Sequence, residues 1–291
     1  MPDDVLTRSA PAPDAVLRYG PAEEHVADLR LPPSGRGPLL IAVHGGFWKA
    51  AWDRTHLGSA AGALAGAGFV VAVPEYRRTG MPGGGWPGTA DDVELAVRTL
   101  PALVAAHLGA PAAGPPLVVG HSAGGHLAVH AVLRRGAPAA RVVALAGVLD
   151  LAEAARLDLG GGAAAAFLGA AAEDDPDRWA DAEPLGRAEP LGRAEPLGRA
   201  EPQGPAEPLG PAEPLGRAEP LGRTAPPDTR VTLIHGTDDD TVPLDLSRRF
   251  AARRAGTTLV ELPGAGHLDL IDPLSPAWPE ILAHLSADRL G

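Results

Sequence analysis

Short, almost wholly apolar runs recur along the chain and alternate with longer segments rich in alanine and leucine. A strand exposed on one face alternates apolar and polar residues, whereas these runs are apolar at nearly every position. Such runs fit strands buried on both faces, as in a parallel sheet covered by helices. The predicted fold class is therefore α/β, with a mostly parallel central sheet and helices on both faces. The six predicted strands are residues 38–43, 69–73, 116–119, 141–145, 231–234 and 258–262.

The longer segments between these strands have the length and composition of helices. Pro101 falls inside the second of them. Proline lacks an amide donor, and its ring collides with the preceding helical turn. We therefore expect that helix to kink or to end early at Pro101. The five predicted helices are residues 55–67, 89–107, 123–135, 243–255 and 275–285.

The chain is acidic, with a formal net charge of −11 over 291 residues. A partner with a phosphate backbone or an anionic lipid surface requires a concentration of Lys and Arg. We therefore expect neither nucleic acid nor a membrane as a partner. The absence of cysteine excludes disulfides, thiolate metal sites and cysteine nucleophiles. Residues 1–19 lack the basic start and apolar run of a secretory signal, which favours a cytoplasmic location.

An internal repeat occupies residues 183–224, where the hexad Glu-Pro-Leu-Gly-Arg-Ala recurs about seven times. Proline in every hexad removes amide donors, and one leucine per hexad offers little apolar surface to offset the entropy of ordering. A stacked β-helix is the alternative, but these hexads would make too few coils. We expect a disordered insertion. The predicted organisation is an α/β core at residues 1–150 and 225–291, a candidate cap at 151–182 and the repeat at 183–224.

The sequence Gly-His-Ser-Ala-Gly at residues 120–124 follows a predicted strand and precedes a predicted helix. A Gly-x-Ser-x-Gly elbow requires this strand–turn–helix context, because its serine sits in a strained turn that leaves no room for side chains two residues away. Ser122 is therefore the candidate nucleophile. The alternative interpretation is a serine that caps a helix after a glycine-rich turn.

A serine hydroxyl becomes a nucleophile at neutral pH only when a base removes its proton. His267 follows the last predicted strand in a loop of small residues and is the candidate base. A carboxylate between serine and histidine must orient that base. Three aspartates follow the strand at 231–234. In the related pattern His-Gly-x-x-Asp-x-x-Val-Pro the acid is the residue three before the valine, which selects Asp239. Asp238 and Asp240 are expected to face solvent or to cap the next helix, with Asp240 the stronger rival.

A tetrahedral intermediate requires backbone N–H donors that converge on its oxyanion. One donor follows the nucleophile at Ala123. The others are expected in the glycine-rich loop after the first predicted strand, because glycine allows the backbone to approach a substrate oxygen closely. Gly46 is the first candidate there, with Gly45 or Phe47 as its neighbour.

With these motifs in order, the chain resembles the α/β-hydrolase superfamily over its length outside the repeat. Within it, the motifs are similar to those of kynurenine formamidases and of esterases related to hormone-sensitive lipase. His-Gly-Gly-Phe-Trp at residues 44–48 resembles the formamidase form, whereas the lipase-like esterases usually carry a third glycine at Phe47. The resemblance implies hydrolysis through an acyl-enzyme without metal or organic cofactor, with Ser122, Asp239 and His267 as the triad.

The resemblance leaves the substrate open. A small carboxylic ester is the first expectation, and an arylformamide or a small peptide are alternatives that use the same groups. A different class of function is a non-catalytic scaffold whose repeat recruits a partner through its prolines. The complete triad argues against a scaffold. The hexad has no Pro-x-x-Pro core apart from chance spacings, and it has no aromatic anchor.

Other polar residues of the motifs are expected to have structural roles. His44 is expected to form structural hydrogen bonds, and Tyr76 and Arg77 to tie loops together. His121 and His126 flank the elbow but lack acidic partners at metal-ligand spacing, so we expect no zinc site. Three tryptophans fit an aromatic-accepting pocket or plain packing equally well: Trp48, Trp52 and Trp86.

Overall fold

A computed structural model describes residues 5–110, 114–186 and 229–287. Within these residues the chain forms one eight-stranded sheet. Its strands are β1 (Ala15–Arg18), β2 (Val26–Arg30), β3 (Leu39–Val43), β4 (Val70–Pro74), β5 (Leu117–His121), β6 (Arg141–Leu145), β7 (Arg230–Gly236) and β8 (Thr257–Leu262). The strand order is β1-β2-β4-β3-β5-β6-β7-β8. The first two neighbouring pairs are antiparallel, and the other five are parallel.

Helices cover both faces of the sheet. They are α1 (Gly58–Gly66), α2 (Gly88–Leu108), α3 (Ala123–Leu133), α4 (Leu151–Arg156), α5 (Ala163–Leu168), α6 (Pro176–Ala182), α7 (Asp245–Arg253) and α8 (Trp278–Ser286). Side chains of β3 alternate between two cores. Leu39 and Ile41 pack with α2 and α3, whereas Leu40 and Ala42 pack with α1 and α8. The predicted α/β fold is confirmed.

The two ends of the sheet differ from the sequence-based expectation. The hairpin formed by β1 and β2 has no counterpart among the predicted strands, because β1 alternates half-buried with exposed residues and Val16 is 55% exposed. At the other end, β8 was expected to be buried on both faces, and this is wrong. It is the last strand of the sheet and pairs on one side only, and Leu262 alone among its six residues is buried.

Pro101 was expected to kink its helix or to end it early, and the early end is wrong. α2 runs for 21 residues through Pro101. Val97, Leu100 and Val104 flank the proline and are fully buried. Each such side chain contributes about 1.5–3 kcal/mol of burial, which together exceeds the roughly 3 kcal/mol cost of an interior proline. Among the described residues, no helix combines the length and apolarity needed to cross a membrane.

Three short helices follow β6 in the region that the sequence marks as a candidate cap. α4, α5 and α6 join the same core as α2 and α3 through the buried Leu151, Phe167 and Trp179. Directly after α6, Glu183 Oε1 accepts hydrogen bonds from the backbone N–H groups of Leu151 (2.8 Å) and Ala152 (3.1 Å). Residues 187–228, which hold most of the repeat, lie outside the described residues, so its expected disorder stays a prediction.

The buried carboxyl of Glu183 makes stability depend on pH. Burial, reinforced by the nearby Asp150, raises the pKa of Glu183 from its ordinary 4.5 to about 7, although two backbone N–H groups and Arg253 oppose the shift. A carboxyl whose pKa is raised on folding stabilises the fold fully below its ordinary pKa, and this stabilisation is lost as pH rises through the folded-state pKa.

Glu183→Gln keeps the accepting oxygen but has no proton to lose. We therefore expect the difference in the free energy of unfolding, variant minus wild type, to rise by about 3 kcal/mol between about pH 4 and pH 8. Urea unfolding at the two pH values measures the difference. The exposed Glu173→Gln serves as the control and should leave the unfolding free energy unchanged. A difference for Glu183→Gln that stays constant with pH would contradict the expectation.

Candidate active site

Ser122 lies in the sharp turn between the end of β5 and the start of α3. Its φ of 56° and ψ of −123° are strained for a residue with a side chain. The turn requires glycine on both sides. A Cβ on Gly120 would lie 2.1 Å from the carbonyl oxygen of Gly124, and a Cβ on Gly124 would lie 2.2 Å from that of His44. The sequence therefore fixes Ser122 at the carboxyl end of the parallel strands.

His267 and Asp239 come from the two neighbouring loops after β8 and β7. His267 Nδ1 donates to Asp239 Oδ2 at 2.7 Å, and the side chain of Asp239 is fully buried. Asp239 Oδ1 accepts from the backbone N–H groups of Thr241 (2.9 Å) and Val242 (2.8 Å), which fixes the carboxylate plane. His235 Nε2 lies 3.2 Å from the same oxygen, Asp239 Oδ2.

The environment of Asp239 keeps its carboxylate ionised. Burial alone would raise the pKa of Asp239, but hydrogen bonds from His235 and His267 outweigh it and hold the pKa well below its usual range. Its neighbours Asp238 and Asp240 are exposed, as expected, and each accepts from an adjacent threonine hydroxyl. Of the three aspartates, the hydrogen bonds place Asp239 against His267.

Ser122 and His267 both line a cavity of about 200 Å³. Gly46 also lines this cavity, on the side of the loop after β3. The other two predicted oxyanion donors lie close by. A Cβ on Gly45 would lie 3.0 Å from Ser122 Cβ. Ala123 is the first residue of α3, so its N–H has no carbonyl partner within that helix.

A buried polar network supports the glycine loop. His44 Nε2 donates to Glu75 Oε1 at 3.0 Å, and the His44 ring stacks on Tyr76 with centroids 4.1 Å apart. Tyr76 Oη donates to the His44 carbonyl oxygen at 2.7 Å. Arg77 forms two side-chain hydrogen bonds with Asp92, at 2.8 and 2.6 Å. His44, Tyr76 and Arg77 thus connect loops and helix α2, as expected from the sequence.

Residues 40–277 match the alpha/beta hydrolase family, which is more than half of the chain. The chain belongs to this family. No curated protein sequence matches this hydrolase.

Solved esterase structures share the fold of the hydrolase. A truncated carbohydrate esterase from gut microbiota has a TM-score of 0.68 at 18% identity, with 96% of this chain and 98% of the other covered. Esterase B from Lactobacillus rhamnosis has a TM-score of 0.65 at 17% identity, covering 97% and 87%. Native Est2 from Thermogutta terrifontis has a TM-score of 0.62 at 19% identity, covering 95% and 91%. At sequence identities this low, the structural similarity shows a common fold alone.

The three tryptophans of the hydrolase divide between packing and the cavity. Trp48 is fully buried and stacks on Phe167 with centroids 4.7 Å apart. Trp86 packs edge-on against His130 at 5.0 Å. Only Trp52 of the three lines the cavity, where it is 39% exposed. Its aromatic neighbour in the wall is Phe47, whose φ of 51° is another strained value in the glycine loop.

Several residues of the cavity wall belong to no motif in the sequence. Leu6 lies far from every motif, and no signal in the sequence connects it to Ser122. His56 also belongs to no motif. Burial lowers the pKa of His56 to about 4, so its ring is neutral at neutral pH. No residue from 151–182, the candidate cap, is part of the wall. Within the described part of the chain, the lining residues are Leu6, Gly46, Phe47, Trp52, His56, His121, Ser122, Thr241, His267 and Leu268.

Proposed function

We propose that the chain is a serine hydrolase that cleaves a small carboxylic ester through an acyl-Ser122 intermediate. One observation carries the proposal. A strained serine shares a small cavity with a histidine whose Nδ1 is held at 2.7 Å by a buried carboxylate. These three groups in this relation are able to perform nucleophilic acyl transfer.

The reaction begins with His267. Its Nδ1–H donates to Asp239, which leaves the lone pair on Nε2 free to accept a proton. Nε2 takes the proton of Ser122 Oγ as that oxygen bonds to the carbonyl carbon, and the carbonyl π electrons move to its oxygen. Asp239 stabilises the imidazolium that forms. Backbone N–H groups of Ala123 and of Gly46 or Gly45 stabilise the oxyanion.

The tetrahedral intermediate then collapses. The carbon–oxygen bond to the alcohol breaks, and the imidazolium of His267 gives its proton to the departing oxygen. Water repeats the sequence on the acyl-enzyme, with His267 as its base, and releases the acid and free Ser122. Every proton in the cycle passes through Nε2 of His267, so these reaction steps require neither a metal nor an organic cofactor.

The wall of the cavity favours a small, uncharged substrate. Its apolar and aromatic side chains include Leu6, Phe47, Trp52 and Leu268, and among the described residues none that lines it is Lys, Arg, Asp or Glu. A charged acyl group would lose its hydration there without gaining a partner. The aromatic pair Phe47 and Trp52 also suits an aryl group, which keeps an arylformamide as the second candidate.

The test uses the purified full chain and a panel of substrates. We expect turnover of p-nitrophenyl acetate and butanoate, with weaker turnover of the octanoate because the cavity is small. N-formylkynurenine and an aminoacyl p-nitroanilide test the formamidase and peptidase alternatives. A marked preference for the formamide would show that the protein is an arylformamidase and not an esterase. Turnover of none of these substrates would contradict the hydrolase and favour a scaffold.

Leu6 provides a prediction about acyl chain length. Leu6→Trp adds bulk to the wall of a cavity of only about 200 Å³. Because one methylene in an apolar pocket is worth about tenfold or more, we expect kcat/KM for the butanoate ester to fall at least about tenfold relative to the acetate ester. Steady-state kinetics on the two esters measures the ratio. Leu274→Trp, at a leucine 76% exposed, is the control. An unchanged ratio in Leu6→Trp would remove Leu6 from the acyl pocket.

A further inference from the structure

His121 makes two contacts with the candidate base. Its Nε2 lies 3.1 Å from the backbone carbonyl oxygen of His267. A carbonyl oxygen can only accept, so Nε2 carries the hydrogen and donates it. The two imidazole rings also lie against each other, with centroids 4.6 Å apart at 46°. His121 is only 4% exposed and directly precedes Ser122.

These contacts join two loops that are otherwise carried by different strands. His121 is the last residue of β5, whereas His267 follows β8, which is three strands away in the sheet order. The segment before His267 is Pro-Gly-Ala-Gly, whose glycines give its backbone wide freedom. Asp239 holds one ring nitrogen of His267, and the backbone N–H of Gly266 donates to Asp269 Oδ2 at 2.7 Å. Neither of these bonds is made to the carbonyl oxygen of His267.

The hydrogen bond from His121 restrains that backbone. Nearby main-chain bonds, such as Asp238 N–H to the Ala265 carbonyl at 3.0 Å, restrain the start of the loop. His121 instead acts at His267 itself. With the ring held by Asp239 and the carbonyl held by His121, the Nε2 lone pair of His267 keeps a fixed direction toward the cavity that it shares with Ser122.

The chemistry of the His121 ring suits this task. Burial, together with His267 and His56 close by, lowers the pKa of His121 well below its ordinary value, although Asp239 and the His267 carbonyl oppose the shift. The ring therefore stays neutral and adds no positive charge beside His267 when that ring becomes an imidazolium. Its Nδ1 has no hydrogen-bond partner among the described residues, so the Nε2–H is the polar contact that the ring offers.

We infer that His121 is a positioning residue, which holds the loop of the base in register with the nucleophile through its Nε2–H bond to the His267 carbonyl. The inference rests on the proposed function and deepens it. Nucleophile and base are then set by two consecutive residues: Ser122 carries the attacking oxygen, and His121 fixes the group that deprotonates it. A misplacement of about 1 Å in such a pair costs up to about 100-fold in rate.

A matched pair of substitutions isolates the hydrogen bond. His121→Gln places an amide N–H within reach of the Nε2 position, whereas His121→Leu removes the donor and keeps an apolar side chain. We expect His121→Gln to stay within about threefold of wild type in kcat, and His121→Leu to lose between about 10- and 100-fold with KM within about twofold. If His121→Leu does not fold, His121→Asn replaces it, because its amide is too short to reach the carbonyl.

Proton NMR gives a readout that does not depend on turnover. The downfield resonance of the His267 Nδ1–H bonded to Asp239 reports how well the base is held. We expect it to be sharp in wild type and in His121→Gln, and broadened or lost in the variant without the donor. A merely structural role for His121 would lower the melting temperatures of the variants without this ordered difference between glutamine and leucine.

His130→Leu is the matched control. His130 is a buried histidine whose Nε2 donates to the Asp181 carbonyl at 2.9 Å, a histidine-to-backbone bond outside the cavity. Its loss should lower the melting temperature and leave kcat unchanged. Equal kcat values and equal resonances for His121→Leu and His121→Gln would overturn the inference. A wild-type protein without serine-dependent hydrolysis would overturn the proposed function instead, and the resonance would then decide the role of His121 alone.

Discussion

Replacing Ser122 with alanine is expected to lower kcat for ester hydrolysis by about 10⁴- to 10⁶-fold, with little change in KM. The substitution removes the attacking oxygen, and neither His267 nor Asp239 can replace it. A small residual rate should remain above that of water, because the oxyanion donors and the cavity still bind and polarise the ester. Steady-state kinetics on p-nitrophenyl butanoate measures the loss.

Ser275→Ala is the matched control for this experiment. Ser275 is a buried serine whose Oγ accepts from the backbone N–H of Ala277 at 3.1 Å, and it does not line the cavity. We expect it to keep wild-type kcat. If Ser122→Ala retained a tenth or more of the wild-type activity, the acyl-serine route would be contradicted.

Asp239→Asn is expected to lower kcat by about 10⁴-fold while leaving the fold intact. The amide is nearly the same size as the carboxylate and still lies beside His267 Nδ1 and His235 Nε2. An amide that turns its NH₂ toward His267 favours the wrong imidazole tautomer, and it cannot stabilise the imidazolium. Both effects act in the transition state, so kcat falls more than KM changes.

The two neighbouring aspartates supply the controls. Asp238 and Asp240 are exposed, and each carboxylate accepts a hydrogen bond from an adjacent threonine hydroxyl. Asp238→Asn and Asp240→Asn should therefore stay within about twofold of wild type. Kinetics of the three variants side by side, with circular dichroism to verify folding, gives the comparison. If the loss of kcat in Asp240→Asn matched or exceeded the loss in Asp239→Asn, the assignment of Asp239 as the carboxylate that orients His267 would be wrong.

Those parts of the fold and site that depend on local sequence could be predicted. The strained turn at Ser122 requires glycine on both sides because the backbone of α3 approaches β3 and β5 closely, so the requirement is visible as a motif. The strands β3 to β7 are visible because burial on both faces makes them continuously apolar. The spacing around Asp239 likewise reflects its bonds to Thr241 and Val242.

Features that depend on contacts between distant segments could not be predicted. Leu6 reaches the cavity because the N-terminal segment packs there, a placement that no local pattern encodes. The bond between His121 and His267 joins residues 146 positions apart. Pro101 shows the same limit from the other direction: its local preference is clear, but the burial of the neighbouring side chains on the sheet overrides it.

The most direct test of the proposed acyl-serine chemistry is covalent trapping followed by mass spectrometry. A fluorophosphonate bonds to an activated serine oxygen and expels fluoride, and it therefore reports the nucleophile without any assumption about the substrate. We expect wild type to gain the mass of one phosphonyl group, to lose ester hydrolysis in parallel, and to carry the label on the peptide that contains Ser122. Ser122→Ala should gain no mass. Labelling elsewhere with Ser122 unmodified, or no labelling of folded wild type, would contradict a serine hydrolase built on Ser122.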